Sequence, residues 1–410
     1  MTARPLAAIV LAAGKGKRMR AAVPKVLLEA CGRPLVEHVL EALRPLNAHP
    51  TVVVCGHGAA QVRDALRDRD VRFAEQERQL GTGHAVQCAL PLLEGFRGDL
   101  LIVLGDTPLL TAEELLALVD AHRAAGRAMT VLTAEMDDPG SLGRIVRGRG
   151  GHLERIVEWK DASPEVRAIR EINTGVMVVD FARLPAALGR LKSDNAQGEF
   201  YLTDVPGMLL SDGLEVDAHR APDPGAALGV NTPVELERAS AALRRRGTER
   251  LLDRGVWVED VATTLVDADV EIGEGTILRP FTHVLRGARV GRNCRIGPHA
   301  VLREGVVVGD GAVVGSFVDL RACQVQAGAR VEGHARLDGV SVGAHATVGA
   351  GAVTDGAGDG AGRTVIGDGA RIGAGAVFVA PATVGEGAAV RAGTVVGRGG
   401  ASAAGGPTDG

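Results

Sequence analysis

The chain has 410 residues, 46% of them hydrophobic and 23% charged, which fits a folded protein of two or more domains and excludes wholesale disorder. Its 46 basic and 50 acidic side chains leave a net charge of −4, so we expect no nucleic-acid partner and no anionic membrane surface. The apolar run from Leu6 to Ala13 is far too short to span a membrane. Five cysteines without paired spacing predict free thiols in a cytoplasmic protein.

The first half of the chain alternates strand-like apolar runs with amphipathic helical patterns. Three compact β-type runs are Leu6–Leu11, Thr51–Val54 and Leu100–Leu104. Pro34–Leu43 has a helical pattern, and Thr111 and Glu114 have capping-box spacing before a helix expected to end at Gly126. This alternation predicts a mainly parallel α/β sheet covered on both faces, with ligands beyond the carboxyl ends of its strands.

The second half has a six-residue period. The aliphatic positions in the first phase are Val266, Ile272, Leu278, Val284, Val290, Ile296, Leu302, Val308, Val314 and Leu320, followed by a second phase from Val325 and a third from Ile366. An α-helix cannot place every sixth residue on one face, because six residues advance about 1.67 turns. A triangular coil with one short strand per side can, and its glycines turn the corners.

Three further segments complete the predicted organisation. Pro233–Arg254 is rich in Leu, Glu, Ala and Arg and predicts a helix that connects the two halves. The non-periodic stretch Asp355–Arg363 predicts a loop projecting from the coil, and Gly399–Gly410 predicts a disordered tail.

A glycine-rich basic loop, Leu11–Met19, follows the first predicted strand, and Pro24 and Lys25 come shortly after it. Small residues let a nucleotide approach the backbone, and the amides together with Arg18 and Lys25 can bind phosphates. The Gly-Lys-Ser/Thr ending of a Walker A loop is missing. A signal peptide is disfavoured because Arg4 is the only charge before the apolar run, so an ordinary glycine turn is the main alternative.

More motifs follow in a fixed order: Gln79–Ala85, Gly105–Leu109, Gly143–Ile145, Val157–Ala162, Glu171–Gly175, Asn195–Asp204 and Gly229–Asn231. Together with the glycine-rich loop they resemble the bifunctional family that makes UDP-N-acetylglucosamine in bacteria. In that family a uridylyltransferase domain precedes a hexapeptide-repeat acetyltransferase domain. The resemblance covers nearly all of residues 5–398.

The resemblance implies a fold and a domain division. A Rossmann-like nucleotidyltransferase domain would occupy residues 1–232, a helical linker 233–255, and a left-handed parallel β-helix of hexapeptide repeats 256–398, before a tail at 399–410. It also implies a cytoplasmic enzyme that forms a homotrimer through the β-helix and supplies precursors of peptidoglycan and lipopolysaccharide.

The resemblance assigns roles to the first domain's residues. The uridine would be held by Leu11, Ala12, Ala13, Gly14, Gln76, Gly81 and Thr82. Arg18 and Lys25 would neutralise the UTP phosphates, and Asp106 and Asn231 would bind Mg²⁺ through hard oxygen donors. The N-acetylglucosamine moiety would be held by Gly143, Glu158 and Asn173. Singly, each has a structural alternative: Asp106 capping a helix, Glu158 pairing with Lys160 on the surface, Tyr201 packing.

The acetyltransferase half departs from the family pattern. Arg303 and His334 fall at matching positions, and Arg321 stands where a lysine is expected. The only tyrosine is Tyr201 and no lysine follows Lys192, so both acetyl-site tyrosines and all later lysines are missing. Residues 354–360 lack the expected Asn-Tyr pair. We therefore expect a coil that has lost or weakened acetyl transfer and persists as a scaffold.

Alternatives stay open at this stage. One is a fully bifunctional enzyme, with His334 as general base and acetyl-CoA as co-substrate. Another is a nucleotidyltransferase for a different sugar 1-phosphate. A third is a sugar-nucleotide-binding regulatory or scaffold protein, against which Arg18, Lys25, Asp106 and Asn231 argue, since a scaffold has no need of a metal pair.

Overall fold

A computed structural model describes residues 4–226, 228–355 and 362–397. The chain divides into two compact units, Met1–Ala239 and Ser240–Gly410, and their boundary falls inside a helix that spans Pro233–Asp253. That helix was predicted from composition as the connection, whereas the domain bounds at 232, 255 and 398 stay predictions. The predicted tail and most of the predicted loop at 355–363 lie outside the described residues.

The first unit, here called the sheet unit, alternates strands and helices. Its strands are β1 (Leu6–Ala12), β2 (Glu29–Ala30), β3 (Arg33–Pro34), β4 (Thr51–Cys55), β5 (Arg72–Glu75), β6 (Asp99–Leu104), β7 (Met129–Glu135), β8 (Arg144–Arg147), β9 (Leu153–Val157), β10 (Glu171–Asp180) and β11 (Val216–Arg220). The helices are α1 (Leu35–Leu43), α2 (Ala59–Ala65), α3 (Thr82–Ala89), α4 (Ala112–Ala125), α5 (Pro164–Arg167), α6 (Leu184–Leu188), α7 (Val205–Ser211) and α8 (Pro233–Asp253).

Seven strands form the main sheet, in the order β11-β7-β10-β6-β1-β4-β5. All neighbours pair in parallel except β10, which is antiparallel to β6 and β7, and the β8–β9 hairpin attaches to β10. Alternate residues of β1 enter different apolar clusters: Ile9 packs with α3, α6 and α7, whereas Val10 packs with α1, α2 and α4. Both faces of the sheet are therefore covered, as predicted.

Helix α4 begins and ends where its capping residues predict. The Thr111 hydroxyl accepts from the backbone N–H of Glu114, whose carboxylate accepts from the N–H of Thr111. The helix ends at Gly126, which adopts φ 65°. Thr111 therefore caps this helix, and Asp106, for which helix capping was the structural alternative, does not.

The second unit, here called the coil, has three parallel sheets. The first contains β12 (Trp257–Val258), β15 (Ile277–Leu278), β18 (Arg295–Ile296), β21 (Val313–Val314), β24 (Arg330–Val331), β27 (Thr347–Val348), β30 (Arg371–Ile372) and β33 (Ala389–Val390). The second contains β13 (Leu265–Val266), β16 (His283–Val284), β19 (Val301–Leu302), β22 (Asp319–Arg321), β25 (Arg336–Asp338), β28 (Val353–Asp355), β31 (Val377–Val379) and β34 (Val395–Val396). The third contains β14 (Glu271–Ile272), β17 (Arg289–Val290), β20 (Val307–Val308), β23 (Gln324–Val325), β26 (Val340–Val342), β29 (Thr364–Ile366) and β32 (Thr383–Val384).

The predicted aliphatic positions form the interior of this coil. Leu278, Ile296, Leu302 and Leu320 are fully buried, and small residues such as Ala300 fill the positions between them. Three parallel sheets wrapped around an aliphatic core are typical of a left-handed β-helix of hexapeptide repeats, which confirms the predicted fold. Within the described ranges, the helices include none long and apolar enough to cross a membrane.

Candidate active site

Two adjoining cavities open at the carboxyl ends of β1 and β6, where parallel sheets place their ligands. The first, the loop cavity, has a volume of about 500 Å³ and is lined by Leu11, Ala12, Ala13, Gly14, Lys15, Lys17, Lys25, Val26, Gln76, Gln79, Gly81, Thr82, Ala85, Leu104, Asp106 and Glu199. The second, the hairpin cavity, has a volume of about 230 Å³ and contains Gly143, Glu158 and Asn173 beside the β8–β9 hairpin. Leu11, Thr82, Leu104 and Asp106 line both, so the two cavities meet at the end of β6.

The glycine-rich loop presents backbone to the loop cavity. A Cβ added to Gly14 would meet nothing within 4 Å, so the main chain there is open to a ligand. Gly16 adopts φ +55°, and a Cβ on it would lie 2.7 Å from the Cβ of Lys25, so this bend requires glycine. The bend thereby brings Lys25 back beside the loop.

Lys25, Asp106 and Asn231 converge where the two cavities meet. The Lys25 ammonium forms a short hydrogen-bonded ion pair with the Asp106 carboxylate and donates to Asn231 Oδ1 at 2.9 Å. Both side chains of the ion pair are almost nine-tenths buried. The Lys25 ammonium thus lies between the carboxylate of Asp106 and the side-chain amide oxygen of Asn231. These two oxygen donors come from positions 125 residues apart in the chain.

Asn231 is held in this position by the start of α8. Glu235 Oε2 accepts from the backbone N–H groups of Asn231 and Thr232 at 2.6 and 2.9 Å, and the Glu235 N–H donates to the Thr232 hydroxyl. The Asn231 amide also donates to the Gly229 carbonyl oxygen. Sequence reasoning missed Glu235, although Thr232 and Glu235 have the same capping-box spacing that was used at Thr111.

Gln76 and α3 form the far wall of the loop cavity. Gln76 is 3% exposed, and its Nε2 donates to the Gly81 carbonyl oxygen at 2.9 Å. Gly81 adopts φ +112°, and a Cβ on it would lie 2.6 Å from the carbonyl oxygen of Phe200, so no side chain fits there. The Thr82 hydroxyl accepts from the Leu202 N–H, which ties this wall to the segment that follows Asn195.

Glu158 and Asn173 both line the hairpin cavity. The backbone N–H of Asn173 donates to the Gly143 carbonyl oxygen at 3.0 Å, and the Thr203 hydroxyl donates to Glu158 Oε1 at 3.0 Å. Burial raises the pKa of the Glu158 carboxyl, and the neighbouring carboxylates of Asp161 and Asp204 act in the same direction. The Lys160 ammonium donates to Gln197 and not to Glu158, so the surface ion pair considered for Glu158 is not formed.

The segment Asn195–Asp204 supports the wall of the hairpin cavity. Asn195 Oδ1 accepts from the N–H groups of Gln197 and Glu199. The Tyr201 hydroxyl donates to Asp161 at 3.2 Å, and burial raises its pKa to about 12. Tyr201 is thus a packed, neutral support, in line with the structural alternative stated for it.

Arg18 is the least integrated of the predicted site residues. It lies exposed on the short 3₁₀ helix Lys17–Met19 and does not line the loop cavity, whereas Lys15 and Lys17 do. The other predicted residues of the sheet unit come together around the two cavities: Leu11, Ala12, Ala13, Gly14, Lys25, Gln76, Gly81, Thr82, Asp106, Gly143, Glu158, Asn173 and Asn231.

The coil has a charged cleft at the predicted acetyl-transfer residues. Its volume is about 400 Å³, and it is lined by Arg303, Glu304, Asp319, Arg321, Arg336, Leu337 and Asp338. Arg303 donates to both oxygens of Asp319, at 2.7 and 2.9 Å, and these hydrogen bonds raise its pKa. Arg321 lies 3.5 Å from Asp338. Both guanidinium groups are therefore already paired with carboxylates of the coil.

His334 does not line this cleft. Its ring ends a stack along one corner of the coil, with ring centroids 4.6 Å apart from Phe281 to His299, 4.5 Å from His299 to Phe317, and 5.0 Å from Phe317 to His334. All four residues adopt φ between 56° and 62°. The ring of His334 is thus a corner residue in the stack, apart from the predicted arginines.

A mixed sheet with a glycine-rich basic loop and a carboxylate–amide pair at its strand ends defines a nucleotidyltransferase, joined in the same chain to a hexapeptide coil. A family model for the MobA-like NTP transferase domain matches residues 8–176. A model for the bacterial transferase hexapeptide (six repeats) matches residues 269–304, 287–318 and 363–398.

Curated relatives extend this match to most of the chain. The bifunctional protein GlmU of Shouchella clausii is 38% identical over 411 residues, covering 92% of this chain and 90% of the relative. That of Corynebacterium glutamicum is 40% identical over 419 residues, covering 92% and 86%. That of Trichlorobacter lovleyi is 48% identical over 290 residues, covering 70% and 63%.

The chain therefore belongs to the GlmU family. This confirms the resemblance to the bifunctional UDP-N-acetylglucosamine pyrophosphorylase family that the motifs carried, and with it the enzyme class of nucleotidyltransferase and the predicted pyrophosphorylase function. The hexapeptide coil is the counterpart of the family's acetyltransferase domain.

Proposed function

We propose that the sheet unit transfers UMP from UTP to N-acetylglucosamine 1-phosphate at the junction of the loop and hairpin cavities, releasing pyrophosphate. The observation that carries this assignment is the convergence of Lys25, Asp106 and Asn231 where the two cavities meet. The loop cavity takes the nucleotide and the hairpin cavity takes the sugar, so the reacting phosphates meet at this point.

The donor set fits Mg²⁺. The Asp106 carboxylate and the side-chain amide oxygen of Asn231 are hard oxygen donors, and both already contact the Lys25 ammonium. In the ranges 4–226, 228–355 and 362–397 no cluster of three or more His, Cys, Asp or Glu side chains is placed to hold a metal. Two protein oxygens completed by substrate phosphates are a usual environment for Mg²⁺. When bound, the ion neutralises phosphate charge and favours departure of pyrophosphate.

The chain's own groups supply positioning and charge. An oxygen of the sugar 1-phosphate forms a bond to the α-phosphorus of UTP, and the bond from that phosphorus to the pyrophosphate oxygen breaks. Lys25, with Lys15 and Lys17 along the cavity wall, offsets the negative charge of the triphosphate. Open backbone at Gly14 lets the phosphates approach closely, and Arg18 reaches them from the rim in this proposal. No protein nucleophile is required.

Glu158 and Asn173 would recognise the sugar. A carboxylate and an amide that line one small cavity can bind the hydroxyl and acetamido groups of N-acetylglucosamine. The raised pKa of Glu158 reflects the cost of burying its charge, and hydrogen bonds from sugar hydroxyl groups would offset that cost.

We further propose that the coil has lost or weakened acetyl transfer and serves as a trimerising scaffold. Arg303 already uses two of its five N–H donors on the Asp319 carboxylate, and Arg321 faces Asp338, so a phosphorylated sugar would find both guanidinium groups beside a carboxylate that offsets their charge. Exposed apolar side chains on the second coil sheet, at Val379 and Val395, suit an interface between copies. The absence of a disulfide among the five cysteines, all of which the structure describes, fits operation in the cytoplasm.

The experiment is to incubate the purified protein with Mg²⁺ and UTP, and with either N-acetylglucosamine 1-phosphate or glucosamine 1-phosphate plus acetyl-CoA. Pyrophosphate and free CoA are followed separately. Pyrophosphate with the N-acetylated sugar and no CoA release supports both proposals. CoA release above that of a His334→Ala variant contradicts the loss of acetyl transfer. Absence of pyrophosphate contradicts the assignment of the sheet unit.

A further inference from the structure

A chain of polar contacts behind the loop cavity joins Gln76 to α3. Gln76 Nε2 donates to the Gly81 carbonyl oxygen at 2.9 Å and lies 3.0 Å from His84 Nδ1. The other ring nitrogen of His84 lies 3.8 Å from Cys88 Sγ. A neutral imidazole has one donor and one acceptor nitrogen. With its proton on Nε2, towards Cys88, His84 presents Nδ1 as the acceptor for the Gln76 amide.

Both hydrogens of Gln76 Nε2 are thereby committed, and this fixes the direction of the side-chain amide. If the amide turned over, its oxygen would face two acceptors, the Gly81 carbonyl oxygen and the lone pair of His84. Gln76 Oε1 accepts no hydrogen bond from any described residue, and it is not among the buried polar atoms that lack a partner. It therefore opens into the loop cavity as a fixed acceptor.

We propose that His84 is a positioning residue for base recognition: it holds the Gln76 amide with its oxygen towards the base and so selects a base that carries hydrogen at ring position 3. This inference rests on the proposed function, in which Gln76 contacts the uracil of UTP. Uracil has an N–H donor at that position, whereas cytosine has a bare acceptor nitrogen. A fixed carbonyl oxygen attracts the first and repels the second, whereas an amide free to turn over accommodates both.

The test compares two replacements of His84 that are similar in size, of which only one keeps a hydrogen-bond acceptor. His84→Asn keeps an acceptor oxygen on Cγ, near the position of Nδ1, and His84→Leu has a similar shape with a methyl group there. The dissociation constants of Mg-UTP and Mg-CTP are measured by calorimetry on the full chain, together with pyrophosphate release by the unaltered protein. We expect the preference for UTP over CTP to fall about tenfold in the Leu variant, the scale of one hydrogen bond. The Asn variant should stay within about threefold of the unaltered protein.

A second pair tests whether His84 acts through Gln76. In a Gln76→Ala background, His84→Leu should leave the remaining UTP-to-CTP preference unchanged, because no amide is left to orient. An unchanged preference in the His84→Leu single variant overturns the inference, and so does an equal loss in the Asn and Leu variants. A further fall in the Gln76→Ala background also overturns it. A purely structural role for His84 would weaken both nucleotides equally. Failure of the proposed function is distinct: the unaltered protein would then release no pyrophosphate from UTP.

Discussion

The sheet unit and the coil use their cationic side chains in opposite ways. Lys25 is a single point charge between Asp106 and Asn231 at the mouth of a cavity. Arg303 is a planar fork that already matches both oxygens of Asp319. Another cation can take the place of the Lys25 ammonium between the same two oxygen partners, whereas one edge of the Arg303 guanidinium is already held by two parallel charge-assisted hydrogen bonds to a carboxylate that would repel an arriving phosphate. A basic residue at a family position is therefore informative only together with the carboxylates that surround it.

The largest loss of activity is expected at Asp106, where a substitution tests whether the sheet unit's charged cluster is the catalytic one. Asp106→Ala removes the charged donor from the junction of the cavities, and we expect turnover of UTP and N-acetylglucosamine 1-phosphate to fall about 10³-fold or more, from several kcal/mol of lost charge stabilisation. The fold should survive, because the Val230 N–H is bonded to the backbone carbonyl of Asp106. Pyrophosphate release and thermal unfolding measure the two effects. The exposed Asp68→Ala is the matched control, and unchanged turnover in the Asp106 variant removes its assigned role.

The second largest effect is expected at Glu235, and it tests whether the start of α8 positions Asn231 in the sheet unit's site. Glu235→Ala frees the backbone of Asn231 and Thr232, so we expect the affinity for Mn²⁺, used as a spectroscopic probe for Mg²⁺, to fall about 10- to 100-fold. Glu235→Gln retains an acceptor oxygen and should lose about threefold or less. Glu237→Ala, at an exposed position two residues on, is the control. Equal losses in the Ala and Gln variants would show that the charge of Glu235, and not its placement of Asn231, matters.

A smaller effect is expected in the hairpin cavity. Glu158→Gln should raise the KM for N-acetylglucosamine 1-phosphate about tenfold, with the KM for UTP nearly unchanged, because one acceptor for a sugar hydroxyl is weakened. Steady-state kinetics in each substrate separate the two. A rise confined to the KM for UTP would move Glu158 out of the sugar site.

The same variant has a pH signature in stability. The pKa of Glu158 is raised in the folded state, so the folded protein binds this proton more tightly than the unfolded chain does. Ionisation as the pH rises through the raised pKa therefore destabilises the native protein, and Gln avoids that cost. We expect Glu158→Gln to be at least as stable at neutral pH, with any advantage shrinking as the pH falls towards 4.5. Chemical denaturation at several pH values measures this difference.

The smallest effect is expected in the coil. His334→Ala removes the last ring of the corner stack, and we expect a loss of about 0.5–1.5 kcal/mol in coil stability with no change in pyrophosphate release. Thermal unfolding and the uridylyl assay give the two values. His345→Ala, at another corner with positive φ, is the matched control. A fall in CoA release specific to His334 would show that the coil resembles the sheet unit in retaining its chemistry.

The sequence predicts most of the sheet unit's site because its signals are local. The glycine loop, the capping box at Thr111 and the strand that ends before Asp106 each depend on a few neighbouring residues. The coil interior is equally predictable, since a six-residue aliphatic period has one simple three-dimensional solution. The capping role of Glu235 could also have been predicted, because it follows Thr232 by three residues, as Glu114 follows Thr111.

The contacts that decide function in each unit are not local. The pairing of Arg303 with Asp319 depends on how successive turns of the coil stack, since Val301 lies opposite Asp319. The orientation of Gln76 depends on a loop carbonyl and on a ring from the next helix. Composition and spacing do not encode such geometry, so the pairing of Arg303 and Arg321 with carboxylates could not be predicted from the sequence.

The corners of the coil have a consequence for how the chain can change in length. Ile296 pairs with Val314, 18 residues on, yet Val314 pairs with Val331, only 17 residues on, and Val348 pairs with Ile372 after 24. The aliphatic residues nevertheless stay inside, because the residue lost is absorbed near Ala322, a corner with φ 48°. We therefore expect insertions and deletions to be tolerated at the vertices of this triangle, whereas one within a side would shift the alternation of that strand and turn its aliphatic residue outward. The vertices are the natural places to graft a new segment onto this chain.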